Sequence, residues 1–109
     1  MTPDDFRRLA LALPEASESA HMNHPDFRVN RKVFATLRPD GQRAVVKLTP
    51  EDQGMRVEAE PEVFSPVSGS WGRKGWTEIK LASSDEPTLK SALLAAWRTV
   101  APKRLSSQA

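Results

Sequence analysis

Apolar residues recur along this chain with two different periods, and the places where the period changes mark out its elements. Phe6, Leu9, Ala10 and Leu13 fall at i, i+3, i+4 and i+7, the single stripe of an amphipathic helix. Its start is written in Thr2, a hydroxyl N-cap, in Pro3 at the first helical position, and in Asp4 and Asp5, where the positive end of the helix dipole favours anions. Pro14 ends it. Beyond a polar stretch and the extended or turning dipeptide His24-Pro25, the period shortens to two, in Phe27 and Val29 and then in Val33, Ala35 and Leu37. Asn30-Arg31 between these runs predicts a tight hairpin, because Asn tolerates the left-handed conformation that such turns demand. Pro39-Asp40-Gly41 predicts a second hairpin with a return strand over 44–48, so residues 27–48 are expected to form an antiparallel meander.

Thr49-Pro50-Glu51-Asp52 repeats the start grammar of the first helix and predicts a short one, weakened inside by Gly54 and closed by Pro61. Residues 65–75, rich in Ser, Pro and Gly, are expected to be an exposed loop. It ends in Trp71-Gly72-Arg73-Lys74-Gly75-Trp76. Alternation resumes over 76–81 as a strand with Thr77, Ile79 and Leu81 facing inward. The last helix is the clearest element: Leu89, Ala92, Leu93, Ala96, Trp97 and Val100 lie on one stripe, Ser84 or Asp85 caps it, and Pro102 stops it near Ala101. The order of elements predicts a two-layer α+β domain over 1–102, an antiparallel sheet packed against the first and last helices, with 103–109 a flexible polar tail.

Composition narrows the class. A chain of 109 residues with 39% apolar and 28% charged residues is sized and composed for one globular domain. With no cysteine, disulfides, thiolate metal sites and cysteine nucleophiles are excluded. The first residues carry Asp4, Asp5, Glu15 and Glu18 in place of a basic start and apolar run, and no stretch approaches the roughly 18 apolar residues of a membrane span, so the cytoplasm is the expected compartment. The net charge of +2 says little, but its distribution says more. Arg28, Arg31, Lys32, Arg38, Arg43 and Lys47 stand against the single acid Asp40, a local balance of +5, and the stretch with Glu51, Asp52, Glu58, Glu60 and Glu62 against Arg56 reverses it to −4.

Several fragments, taken in order and spacing, make the chain resemble the YjbR/MmcQ family over nearly its whole length. They are Leu11-Ala12-Leu13-Pro14-Glu15 at the end of the first helix, Pro25-Asp26-Phe27-Arg28-Val29 leading into Lys32-Val33-Phe34-Ala35, Val46-Lys47-Leu48 before a capped helix, and the basic loop into Gly75-Trp76. In the last helix Leu94-Ala95-Ala96-Trp97 stands where the family usually has Ala-Tyr, and Asn30-Arg31 replaces a turn that usually contains glycine. The resemblance implies a fold similar to frataxin-like CyaY proteins and DNA binding through paired β-hairpin wings.

The candidate chemistry agrees with that implication. Phosphate neutralisation needs cations along one surface, preferably beside planar side chains that stack. Arg28, Arg31, Lys32, Arg38, Arg43 and Lys47 lie on or next to the two expected hairpins, Arg73 and Lys74 stand between two tryptophans, and Trp71, in the expected loop, is the residue free to stack on a base or a partner. The plainer reading is a solvated sheet face whose lysines protect an edge. The alternative function is a protein-interaction module with complementary basic and acidic patches. His21 and His24, three apart, are expected on opposite faces of a strand, which argues against a metal site, and the acids of the second helix are explained by its dipole. No phosphate-binding glycine loop, nucleophile elbow or metalloprotease helix is present, so no catalytic residue and no cofactor are expected, and a monomer is favoured. A small-ligand or enzymatic site would require a concave pocket with convergent polar groups.

Overall fold

Capping fixes where the helices begin. The computed structural model describes residues 1–21 and 24–106. In α1 (Pro3–Leu11) the Thr2 hydroxyl accepts from Asp5 N–H at 3.1 Å and the Asp5 carboxylate accepts from Thr2 N–H at 2.8 Å, a reciprocal capping box. Thr49 caps α2 (Pro50–Ala59) through its hydroxyl, which accepts from Asp52 N–H at 3.1 Å. Asp85, rather than Ser84, caps the long C-terminal helix Glu86–Val100, its carboxylate accepting from Thr88 N–H at 2.9 Å.

Between α1 and α2 run β1 (Ser17–His21), β2 (His24–Val29), β3 (Lys32–Leu37) and β4 (Arg43–Lys47), and after α2 come β5 (Phe64–Pro66), the short α3 (Ser70–Arg73) and β6 (Trp76–Lys80). A 3-10 turn at Leu81–Ser83 leads to the helix Glu86–Val100, here α4, and α5 (Lys103–Ser106) closes the described chain. The strands pair antiparallel in the order β1-β2-β3-β4-β6-β5. The expected meander is β2-β3-β4. Asn30 and Arg31 take φ of +52° and +67°, the left-handed pair of a two-residue hairpin turn, so the turn forms without glycine. At the second turn the Asp40 carboxylate accepts from the backbone N–H of Gln42 at 2.9 Å and of Arg43 at 3.2 Å, while Gly41 takes a φ of +69°.

α1 and α4 cover one face of the sheet. Phe6, Leu9 and Ala10 from α1 and Leu89, Ala92, Leu93, Ala96 and Trp97 from α4 join Phe27, Val29, Ala35, Leu37, Val46 and Ile79 in one core. Phe6 meets Phe27 edge to face at 5.8 Å, and the buried Trp97 indole donates to the Pro14 carbonyl at 3.0 Å, so its N–H is satisfied inside the core.

Four expectations need correction. β1 was not expected, and β5 and α3 occupy the segment read as a loop. Val33 was expected inward. The pairing of β2 with β3 slips between Phe27 and Arg28, leaving Phe34 as an extra residue buried beside Ala35, and this bulge turns Val33 to the opposite face. His21 and His24 do not share a strand with opposite faces, because they pair with each other across antiparallel β1 and β2; the His21 side chain lies outside the described residues. Where a polar tail was expected from residue 103, Lys103–Ser106 is helical and Leu105 is buried in the core; residues 107–109 lie outside the described residues. Among the described residues, no helix is long and apolar enough to cross a membrane.

Candidate functional site

The face of the sheet that α1 and α4 leave uncovered is defined by register. Thr36 pairs with Val45 and Val45 with Glu78, Lys47 pairs with Trp76, and Arg28 with Val33, so these side chains share one face. Along its middle lies a groove of about 400 Å³ lined by Val33, Thr36, Arg38, Val45, Val67, Trp71 and Trp76. A second cleft of about 560 Å³, lined by Arg38, Asp40, Arg43, Pro66, Ser68, Glu78 and their neighbours, continues toward the β3–β4 turn.

Trp71 is held out over this face by a packed support. It sits on α3 rather than in a loop, remains 59% exposed, and meets Trp76 edge to face at 5.8 Å with 71° between the ring planes. Two glycines make the approach of α3 possible. A Cβ at Gly72 would run into the Val67 carbonyl, and one at Gly75 into the Leu48 carbonyl, with Gly75 also at a φ of +106°. The buried Gln53 amide of α2 donates to the carbonyls of Gly72 at 3.0 Å and Trp76 at 3.1 Å and to the Thr77 hydroxyl at 3.1 Å, and that hydroxyl donates to the Gly75 carbonyl at 2.9 Å. One side chain thus ties both ends of the tryptophan segment to α2.

The cations divide into two groups. Arg28 forks onto the Asp26 carboxylate at 2.9 and 3.0 Å, and this partner raises its pKa above the ordinary arginine value. Arg43 bridges Asp40 at 2.8 Å and Glu78 at 3.0 Å, which raises its pKa likewise; Asp40 in turn is held below the usual carboxylate range by the Gln42 N–H and then by Arg43. Arg38 reaches the other Glu78 oxygen at 3.2 Å, and its buried Nε has no acceptor. These three are charge-paired within the molecule. Arg31 and Lys32 are exposed at the tip of the β2–β3 hairpin, Lys47 lies beside Trp76, and Arg73 and Lys74 are exposed at the end of α3; none of the five has an ion-pair partner among the described residues. Lys74 Nζ lies over the Trp71 ring at 5.7 Å.

The fold therefore gathers Arg38, Lys47, Trp71 and Lys74 about the groove, sets Arg31 and Lys32 apart at the hairpin tip, and ties Arg28 and Arg43 to carboxylates. Three residues that matter here were not singled out from the sequence. Lys80 pairs with Arg43 and adds an exposed cation to the same face, and the outward set Trp76, Glu78 and Lys80 was legible in the strand's alternation. Glu78 partners two arginines 40 and 35 residues away, and Gln53 bonds a segment about 20 residues on; neither carries a local signal. Among the described residues no three His, Asp or Glu side chains converge as metal ligands.

A two-layer α+β domain with one helix-covered sheet face and one open face bearing an exposed tryptophan is the class that this fold and site define. The family model for YjbR matches residues 11–99, and the chain belongs to the YjbR family. Its fold is that of the Deinococcus radiodurans protein DR2400, whose crystal structure carries the family-model domain DUF419, with a TM-score of 0.71 at 20% identity, over 98% of this chain and 86% of that one. No curated protein sequence matches it.

Proposed function

We propose that the open sheet face binds nucleic acid, largely without sequence preference, and performs no catalytic step. The observation that supports this reading is the grouping of an exposed Trp71 with Lys47 and Lys74 about an apolar groove on one face of the sheet, with Lys80 farther along the same face and Arg73 exposed beside Lys74; none of these cations has an ion-pair partner among the described residues. Arg31 and Lys32 add exposed charge at the first hairpin tip, where the family resemblance implies a wing, with Lys32 opposite Val29 in register and so toward the helix-covered side of the sheet. Phosphate contacts made by such cations release counterions, so affinity falls linearly in log salt. Arg28, Arg38 and Arg43 contribute less than their number in the sequence suggests, because their charges are already answered by Asp26, Asp40 and Glu78.

The test is a salt titration of binding to a labelled DNA oligonucleotide. Affinity that drops steeply with salt, and that Lys47→Glu with Lys74→Glu reduces at least tenfold, is the expected result. No affinity at low salt, or affinity unchanged by the double substitution, overturns the reading. The internal pairing of three arginines favours a second reading, a protein partner docked on the groove; a pull-down after nuclease treatment that recovers a stoichiometric protein would support it.

A further inference from the structure

Resting on the nucleic-acid reading above, we infer that this face takes single-stranded nucleic acid, with an unstacked base lodged in the groove against Trp71 and its flanking phosphates on the rim cations. The groove is mostly apolar, lined by Val33, Val45 and Val67 with Thr36 and Arg38 beside them, and by Trp71 and Trp76 as its aromatic wall. Its volume of about 400 Å³ lies within the range of clefts that hold small-molecule ligands, roughly 300–1,000 Å³. A duplex keeps its base faces stacked and presents phosphates to a sheet, so an apolar depression beneath it would desolvate charge without compensation. An unstacked base presents the flat apolar face that such a depression fits.

The aromatic wall is arranged to receive it. Because Trp71 and Trp76 meet at 71°, they do not stack on each other, and the Trp71 ring carries the Lys74 ammonium at 5.7 Å. A base on that ring displaces the ammonium from an exposed cation–ring contact, the weaker of the two interactions, and frees it for a phosphate. The rim supplies the complementary charge: Lys47 stands opposite Trp76 in register, and Lys74 sits over the Trp71 ring. The α3 support fixes Trp71 before any ligand arrives, which limits the ordering cost of binding.

Three probes of equal length separate the possibilities: a single-stranded oligothymidylate, an abasic phosphodiester chain and a duplex, each titrated at one low salt concentration while tryptophan fluorescence is followed. The expected result is about tenfold or more tighter binding of the oligothymidylate than of the other two, with quenching by it alone. Trp71→Ala brings its affinity down to that of the abasic chain, and Trp71→Phe restores much of the difference. Equal affinity for the three probes, tighter duplex binding, or an unaffected Trp71→Ala variant overturns the inference while leaving nucleic-acid binding intact. If no probe binds, both readings fall together.

Discussion

The side-chain amide of Gln53 donates to the main-chain carbonyl of Gly72 at 3.0 Å, joining the middle of α2 to the turn that carries Trp71. The same nitrogen reaches the Trp76 carbonyl and the Thr77 hydroxyl. Replacement by Ala leaves these buried acceptors with a donor fewer, a loss of about 1–3 kcal/mol. Gln53→Ala is expected to lower the urea midpoint accordingly and to increase the steady-state mobility of Trp71, read as a fall in its fluorescence anisotropy. A variant of unchanged stability and anisotropy would show that α3 is held by other contacts.

Two glycines in one chain should respond to alanine in opposite directions. Gly75 has a positive φ and its Cβ would strike the Leu48 carbonyl, so Gly75→Ala is expected to destabilise by about 2–4 kcal/mol. Gly54 lies exposed inside α2 with open space around its Cβ, and Gly54→Ala should stabilise by about 0.5–1 kcal/mol. Denaturant melts of the two variants beside the parent check both signs.

Glu78 restrains two cations on the open face, Arg38 at 3.2 Å and Arg43 at 3.0 Å. Glu78→Gln removes the negative charge and keeps the shape. Affinity for an oligonucleotide should rise several-fold, and the slope of log affinity against log salt should steepen by about one phosphate equivalent. Weaker binding would mean that the arginines act only when Glu78 orients them.

Stability should depend on pH through carboxylates that cap turns and helices. Asp5 is held below the usual carboxylate range by the Thr2 N–H and hydroxyl, Asp40 by the Gln42 N–H and Arg43, and Asp85 by Thr88. Their folded pKa values lie below the unfolded ones, so their contribution is complete above the unfolded carboxylate range, near pH 4, and is lost as pH falls through the lower folded values. Thermal melts should therefore be flat from neutral pH down to about 4 and decline below it, and Asp85→Asn, which retains a capping oxygen, should lessen that decline. A midpoint already falling well above pH 4 would point to other groups.

The sequence was legible where burial imposes a period. α1 and α2 begin at the caps read from Thr2 and Thr49, α4 at Asp85, one of the two caps the sequence offered, and Thr77 and Ile79 face inward as their alternation requires. It was silent where burial imposes nothing. In β1, Ser17, Glu18, Ser19 and Ala20 are all exposed on an edge strand, so no alternation marks it, and three-residue β5 is too short to show one. The bulge at Phe34 reversed the reading of Val33 because one extra residue exchanges the two faces of a strand. At the candidate site, the cations themselves could be named from the sequence, but which of them remain unpaired depends on Glu78 and Asp26, and the presentation of Trp71 depends on Gln53; those are partnerships of the folded chain.

The central claim concerns one face of one sheet, and mapping that face tests it most directly. Backbone and indole N–H resonances should be followed while a single-stranded oligonucleotide is added at low salt. The account predicts shifts concentrated on Val33, Val45, Lys47, Trp71, Lys74 and Trp76, including the indole signals of Trp71 and Trp76, with that of the buried Trp97 unmoved. Shifts confined to the helical side around α4 or to α2, or no shifts at all, would contradict it.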